Sequence, residues 1–255
     1  MNLRPLGKTG LEVSVLGFGA FKIGRNQGIK YAQGYDLPAM PQVQQLIDGL
    51  LQMGVNYLDT APAYGLSEER LGATLPASRE GVVVSTKVGE TFEQGVSHFD
   101  FSEAGVQASV RRSLNRLKCS TLDVVFIHSN GQDMSILEQT PVVATLQQLK
   151  AQGLIRAIGF SGKTVEGAQA SLRWADVLMV EYHLEDRSHE DVIAHAASQG
   201  VGVVVKKGLA SGRLPAEQAI EFILANPGVS SLIIGGLNLN HIRSNVEVAR
   251  RVLGG

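Results

Sequence analysis

The chain has 255 residues, 44% hydrophobic and 18% charged, with a formal net charge of −1. That length suits one large domain or two small ones, α/β barrels reach it as one domain with a sizeable core, and the near-zero charge excludes a global basic field for nucleic acid or anionic lipid. The single cysteine, Cys119, excludes an internal disulfide and fits a reducing compartment. The opening MNLRPLGKTGLEVS has no apolar core of signal-peptide length, and no run of about 18 apolar residues occurs, so the expected location is the cytoplasm.

Along the chain, β-rich runs fall at 13–19 (VSVLGFG), 55–60, 81–87, 122–128, 154–160, 176–183, 201–207 and 230–236. Several are apolar on both faces, as strands buried in a parallel sheet are. Helical patterns fall between and after them, at 41–53, 67–74, 103–118, 137–151, 164–173, 188–199, 215–225 and 239–252. In the third of these, Ser102 is placed to cap, Glu103 sits in the first turn, and Val106, Val110, Leu114 and Leu117 recur at helical spacing. Eight strand–helix pairs are the number that closes a (β/α)8 TIM barrel, here expected as one domain over residues 1–255. An open doubly wound sheet would carry a glycine-rich phosphate turn after its first strand. GFGAFKIG lacks the third glycine at that spacing, and no clear helix follows at once. The two GKT triplets, at 7–9 and 162–164, have Asn2 and Ala157 where a P-loop needs glycine. The stretch 24–41 reads as a loop on the active-site face of the barrel.

Polar residues at the C-terminal ends of parallel barrel strands converge on one mouth. Here those residues are Asp59, Lys87, His128 and Ser161, with Tyr64 in the loop after strand two. Each has an ordinary reading: a turn cap, a snorkelling lysine, a hydrogen-bonded histidine, a packed tyrosine. Together they make a proton-transfer set. A tyrosine with an ordinary pKa of about 10 exchanges protons poorly at neutral pH. A nearby lysine ammonium stabilises its phenolate, an aspartate holds the lysine, and a histidine orients the substrate oxygen. Carbonyl reduction follows, with Tyr64 as proton donor and hydride from a cofactor, since no side chain supplies one.

The chain resembles the aldo-keto reductases across essentially its full length. LRPLGKTGLEVSVLGFGAF is similar to the family's N-terminal β-hairpin and first strand, and NYLDTAPAYGLSEERLG to its second-strand signature. STKVG, LDVVFIH and IGFSG follow in family order. The resemblance implies a TIM barrel with an N-terminal hairpin and an extended dinucleotide across the mouth. It implies Tyr64 as general acid/base, Lys87 and Asp59 tuning it, and His128 orienting substrate. It also implies cofactor contacts from Gly19, Ala20, Phe21, Ser161, Gly162, Met179, Lys206, Lys207, Gly208, Leu209, Gly212, Gly235, Gly236, Leu237, His241 and Asn245. NADPH is the expected cofactor, with NADH as the alternative.

Departures from the family pattern cluster at the cofactor. Ser161-Gly162 stands where Ser-Asn is usual, Met179 where a glutamine is common, and Lys206 where an aromatic ring stacks on nicotinamide. The Lys206 stem is expected to cover the ring or its charge to approach the pyrophosphate. The pyrophosphate loop is cut to SGRLP (211–215). His241 replaces an arginine that often grips the 2′-phosphate, with Arg243 nearby, while Asn245 is retained. The chain stops at LGG, without the family's long C-terminal loop, so the substrate walls are expected from the loops 24–41 and 89–101. Their aromatic candidates are Tyr31, Tyr35, Phe92, Phe99 and Phe101, beside Phe21.

No metal is expected. His189 and His195 in EYHLEDRSHEDVIAH are six residues apart, about 600° around a helix and so on roughly opposite faces. The expected partner is a small-molecule carbonyl substrate, with no nucleic acid or membrane, for a monomer or weak oligomer. Two rival readings remain: a cofactor-binding regulatory or redox-sensing protein, and a lyase using Lys87 as a Schiff base, which Asp59 disfavours by holding the lysine protonated.

Overall fold

The alternation of short apolar runs with amphipathic helices closes into a parallel barrel. The computed structural model describes residues 1–28 and 34–254. Its eight barrel strands are β3 (Leu16–Gly19), β4 (Tyr57–Asp59), β5 (Val83–Val88), β8 (Leu122–His128), β9 (Ile155–Ser161), β10 (Val177–Glu181), β11 (Gly202–Lys206) and β12 (Ser231–Ile234). Adjacent strands pair in parallel, and β12 returns to β3 to close the ring. The principal outer helices are α2 (Met40–Gln52), α3 (Ser67–Thr74), α4 (Glu103–Leu117), α6 (Val142–Ala151), α7 (Val165–Ser171), α8 (Glu190–Gln199), α9 (Ala216–Ala225) and α10 (Leu239–Val252). Ser102 caps α4 by accepting from the Gly105 amide, as the sequence predicts. None of the described helices is long and apolar enough to cross a membrane.

Two cores result. The larger lies between strands and helices, where Ile47, Leu50, Val110, Leu146, Ile193 and Ile223 pack on outward-facing strand residues. The smaller fills the barrel interior with Tyr57, Val83, Val124, Phe126, Ala157, Val177, Met179 and Val204. An antiparallel hairpin of β1 (Leu3–Pro5) and β2 (Glu12–Ser14) lends it Leu6, Leu11 and Val13, which plugs one end of the barrel. The other end is left open as the mouth.

Three sequence expectations are corrected. The run 13–19 is two strands, because the chain passes from hairpin to barrel at Val15: its amide donates to Asn2 and its carbonyl accepts from Leu232. The helical pattern at 137–151 is two helices, α5 (Asp133–Gln139) and α6, broken where Thr140 is extended ahead of Pro141. The loop 89–101 contains a second hairpin, β6 (Glu90–Glu93) with β7 (Val96–Phe99), turned by Gln94 and Gly95 at positive φ.

The turn that carries Tyr64 is wedged against the loop after β3. A short helix, α1 (Phe21–Gly24), follows β3, and Tyr64 ends a 3₁₀ turn, Pro62–Tyr64. A Cβ on Gly24 would lie 2.2 Å from both the Tyr64 carbonyl oxygen and the Ser67 nitrogen. Gly65, at φ +61, faces the Gly24 carbonyl in return. Because the blocking atoms are backbone, Gly24→Ala is expected to cost about 1–3 kcal/mol of stability, read as a lower urea midpoint, and to displace Tyr64. An unchanged midpoint would show that the wedge is loose.

Candidate active site

Parallel closure brings the ends of β4, β5, β8, β9, β10 and β11 to one rim, around a cavity of about 710 Å³. Asp59, Tyr64, Lys87 and His128 all line it. Asp59 and Lys87 are 3% and 1% exposed, so their charges have almost no water and depend on each other. The Lys87 Nζ donates to Asp59 Oδ1 and Oδ2 at 2.8 and 2.7 Å and to the Thr60 carbonyl at 2.8 Å. Ser85 Oγ, one pleat below, donates to Asp59 Oδ1 at 2.7 Å. The pair is thus fixed by backbone register, since Asp59 and Ser85 are paired residues on β4 and β5. Burial pulls the Lys87 pKa down, but Asp59 and Tyr64 outweigh it, and the net shift is upward. A lysine held charged in this way is no Schiff-base nucleophile.

Tyr64 lies over this pair, with the Lys87 Nζ 4.7 Å from its ring centroid. Its ring meets Phe21 edge-on at 5.1 Å and His128 at 6.2 Å. The sequence argument has Lys87 lowering the tyrosine pKa, and Lys87 does act in that direction. Burial is the larger effect, Asp59 adds to it, and the phenol ends above its ordinary value. Tyr64 is therefore held in its protonated form.

The loop before Tyr64 is clamped by Arg25, which the sequence reading passed over. Its guanidinium donates to the carbonyls of Ala63 at 3.0 Å, Gln27 at 2.8 Å and Gly28 at 3.3 Å. It stacks 3.2 Å over the Phe92 ring. Ser67 does not cap α3; it is the first helical residue and donates to the Ala20 carbonyl at 2.9 Å. Glu68 turns inward behind the site, fully buried, and accepts from Thr86 at 2.6 Å.

Glu90 was also missed, although it stands only three residues after Lys87. It opens β6, lines the cavity and sets its Oε2 2.7 Å from His128 Nδ1. The carboxylate lies off the ring N–H direction, so the contact is bent. Burial pushes Glu90 up, but His128, Ser97 and Arg25 outweigh it and hold the carboxyl at about 2. Burial is the largest influence on His128 and leaves its pKa lowered despite Glu90.

Of the cofactor residues implied by the sequence, Gly19, Phe21, Ser161, Gly162, Met179, Lys206, Lys207, Gly208, Leu209, Gly212, Gly235 and Asn245 line the same cavity. Ala20, Gly236, Leu237 and His241 do not. Ala20 is fully buried behind the rim, its amide donating to Asp59 O, and His241 is exposed on the first turn of α10. Arg243 is exposed on the same helix. Lys206 turns onto the loop after β9: its Nζ donates to Ser161 Oγ at 3.0 Å and to the Gly162 carbonyl at 2.7 Å. Gly162 has a packing reason, since a Cβ there would meet the Phe160 ring at 2.5 Å and Asp133 Oδ2 at 2.8 Å. That Asp133 oxygen accepts from the amides of Lys163 and Thr164 and from Thr164 Oγ1, pinning the loop that follows β9.

Among the proposed wall aromatics, Phe21 alone of those described lines the cavity; Tyr31 lies outside the described residues. Phe92 is occupied by Arg25, Tyr35 donates to the Arg25 carbonyl, and Phe99 is exposed and stacks on Phe101. Glu181, His183 and Asp186 place ligand-type atoms within 4.8 Å of one another. Each is already engaged. Lys207 pairs with Glu181, His183 Nδ1 accepts from the Glu185 amide, and Asp186 accepts from the Ser188 amide.

With this geometry, residues 15–219 match the family model described as "Aldo/keto reductase family". The chain belongs to the aldo/keto reductase family. It is 29% identical to L-galactose dehydrogenase of Arabidopsis thaliana, over 96% of this chain and 87% of that one. It is 31% identical to the NADH-specific methylglyoxal reductase of Escherichia coli, over 82% and 68%. Among solved structures, a putative aldo-keto reductase from Pseudomonas aeruginosa superposes with a TM-score of 0.91 at 44% identity, covering 98% of this chain and 95% of that one. The holo form of an aldo-keto reductase from Bacillus halodurans gives 0.82 at 27%, covering 100% and 95%.

Two outcomes follow for this aldo/keto reductase. Asp59→Asn leaves Lys87 buried without its counter-ion, so stability is expected to fall by about 3–5 kcal/mol in urea unfolding; a loss under half that would mean water reaches the ammonium. Burial, with help from Lys207 and Lys87, holds Lys206 at about 7 against an ordinary 10.5. Between those values the unfolded chain binds the extra proton, so stability should rise with pH from about 7 to 10.5. Lys206→Met should remove that rise, read as the change in urea midpoint between the two ends of the window.

Proposed function

We propose that this aldo/keto reductase reduces aldehyde or ketone carbonyls to alcohols with a nicotinamide dinucleotide, NADPH first and NADH as the alternative. The observation that carries the reading is the buried Asp59–Lys87 pair beneath a protonated Tyr64, with His128 across the same cavity. The cavity fits an extended dinucleotide: its lining runs from Gly19 and Tyr64, past Ser161, Met179 and Lys206, to Gly212, Gly235 and Asn245. Ser161, Gly162 and Lys206 would hold the nicotinamide end, Lys207 to Gly212 the pyrophosphate, and Gly235 and Asn245 the adenosine. When bound, the cofactor supplies the hydride that no side chain can.

The chain's own residues do the rest. Tyr64 donates its proton to the substrate oxygen as the carbonyl carbon gains hydride. The resulting phenolate is stabilised by Lys87, whose charge Asp59 preserves. His128 orients the substrate oxygen from the far side, and Phe21 supports the Tyr64 ring. NADH is kept beside NADPH because the methylglyoxal reductase relative is named NADH-specific and because His241 stands away from the cavity lining. Residues 1–255 are read as a single barrel domain, acting in the cytoplasm as a monomer or weak oligomer on a small-molecule substrate.

Parallel titration with NADPH and NADH, then a panel of aldehydes, tests the reading. Tyr64→Phe is expected to lower reduction by about 10²–10⁴-fold while cofactor binding is retained. A wild-type protein that binds cofactor and reduces nothing on the panel would replace this reading with the regulatory one.

A further inference from the structure

Glu90 contributes something the Asp59, Tyr64, Lys87 and His128 set does not contain. A carboxylate is an acceptor only, so an Nδ1 lone pair 2.7 Å from it is repelled, whereas an Nδ1–H is attracted even along a bent contact. The carboxylate therefore favours the ring proton on Nδ1. A neutral imidazole has one N–H, so that proton is the ring's only one. His128 lines the cavity, and with Nδ1 engaged by Glu90 the nitrogen left for a ligand is Nε2. Glu90 is itself held in place, because Ser97 Oγ on β7 donates to its other oxygen at 2.7 Å. The β6–β7 hairpin is thus a bracket with its inner corner on the histidine.

We propose that Glu90 is a positioning residue that locks the proton of neutral His128 on Nδ1, so that His128 donates to a substrate carbonyl only as an imidazolium and otherwise accepts from a hydroxyl. This rests on the carbonyl-reductase reading above. Its consequence is a pH-dependent choice of ligand. Below the His128 pKa both Nδ1–H and Nε2–H are present, and a carbonyl oxygen is held between Tyr64 and His128. Above it, Nε2 presents a lone pair, which repels a carbonyl oxygen and welcomes an alcohol O–H. The charged and titratable groups facing the ring are Glu90 from β6, Lys87 from β5, Lys206 from β11 and Tyr64 from the 3₁₀ turn, with Arg25 facing Glu90. Glu90 is the one of these that favours the imidazolium; the two lysines oppose it.

The test reads the ring directly. In ¹⁵N-labelled cofactor-free protein, imidazole ¹⁵N–¹H correlation spectra should show His128 with the Nδ1–H tautomer at pH 7 and an imidazolium below a titration point under 6.5. Glu90→Gln, which keeps the shape and a partner for Ser97, should move that point down by about 1 to 3 pH units. Glu90→Asp should restore part of it. In turnover, the wild-type KM for a carbonyl should rise as pH increases through the titration point, and in Glu90→Gln that rise should begin at correspondingly lower pH. A wild-type Nε2–H tautomer at pH 7, or a titration point unmoved in Glu90→Gln, would overturn the proposal. The spectra stand without any catalysis, so a protein that reduces nothing but shows the Nδ1–H tautomer overturns the reductase reading and leaves the lock intact.

Discussion

One buried ion pair organises this mouth. Asp59 and Lys87 close adjacent parallel strands, and each would be unaffordable there without the other. Their separation is set by the β4–β5 register, which places Asp59 opposite Ser85 and brings Lys87 two residues further toward the rim. Tyr64 then has no freedom to be an ordinary surface phenol. It is pressed over the pair by a loop that Gly24 and Gly65 allow to approach backbone to backbone and that Arg25 ties to Ala63.

The electrostatics of the site are a contest that burial wins for the phenol and pairing wins for the lysine. Tyr64 is raised because losing water disfavours phenolate more than a partly neutralised ammonium favours it. Lys87 is raised because Asp59 and Tyr64 together outweigh its own desolvation. Lys206, with no carboxylate in direct contact, shows the opposite outcome. It is lowered to about 7 and settles for neutral acceptors, Ser161 Oγ and the Gly162 carbonyl. Three ionisable side chains in one cavity thus take different states according to which partner each can reach.

The sequence reached the barrel because its two periodicities, buried runs and amphipathic helices, need nothing beyond local residue order to be seen. It reached Asp59, Tyr64, Lys87 and His128 for a related reason: strand ends in a parallel barrel must share a rim. It did not reach Glu90 or Arg25. Glu90 opens a hairpin whose Gln-Gly turn was hidden inside a stretch read as loop, and Arg25 acts through backbone carbonyls, which leave no trace in residue type. Asp133 escaped likewise, since its oxygen is filled by amides 30 and 31 residues away.

By itself, then, the sequence determined the parallel barrel, the polarity of its strands and hence the company that Asp59, Tyr64, Lys87 and His128 keep, because those follow from hydrophobic pattern and chain direction. Only the tertiary structure decided the charge states and orientations: a protonated Tyr64, a histidine faced by Glu90, a Lys206 folded onto the Ser161–Gly162 turn, and wall aromatics that mostly pack elsewhere. Such properties depend on how much water each group loses and which partner lies within about 3 Å, and neither is a function of position along the chain.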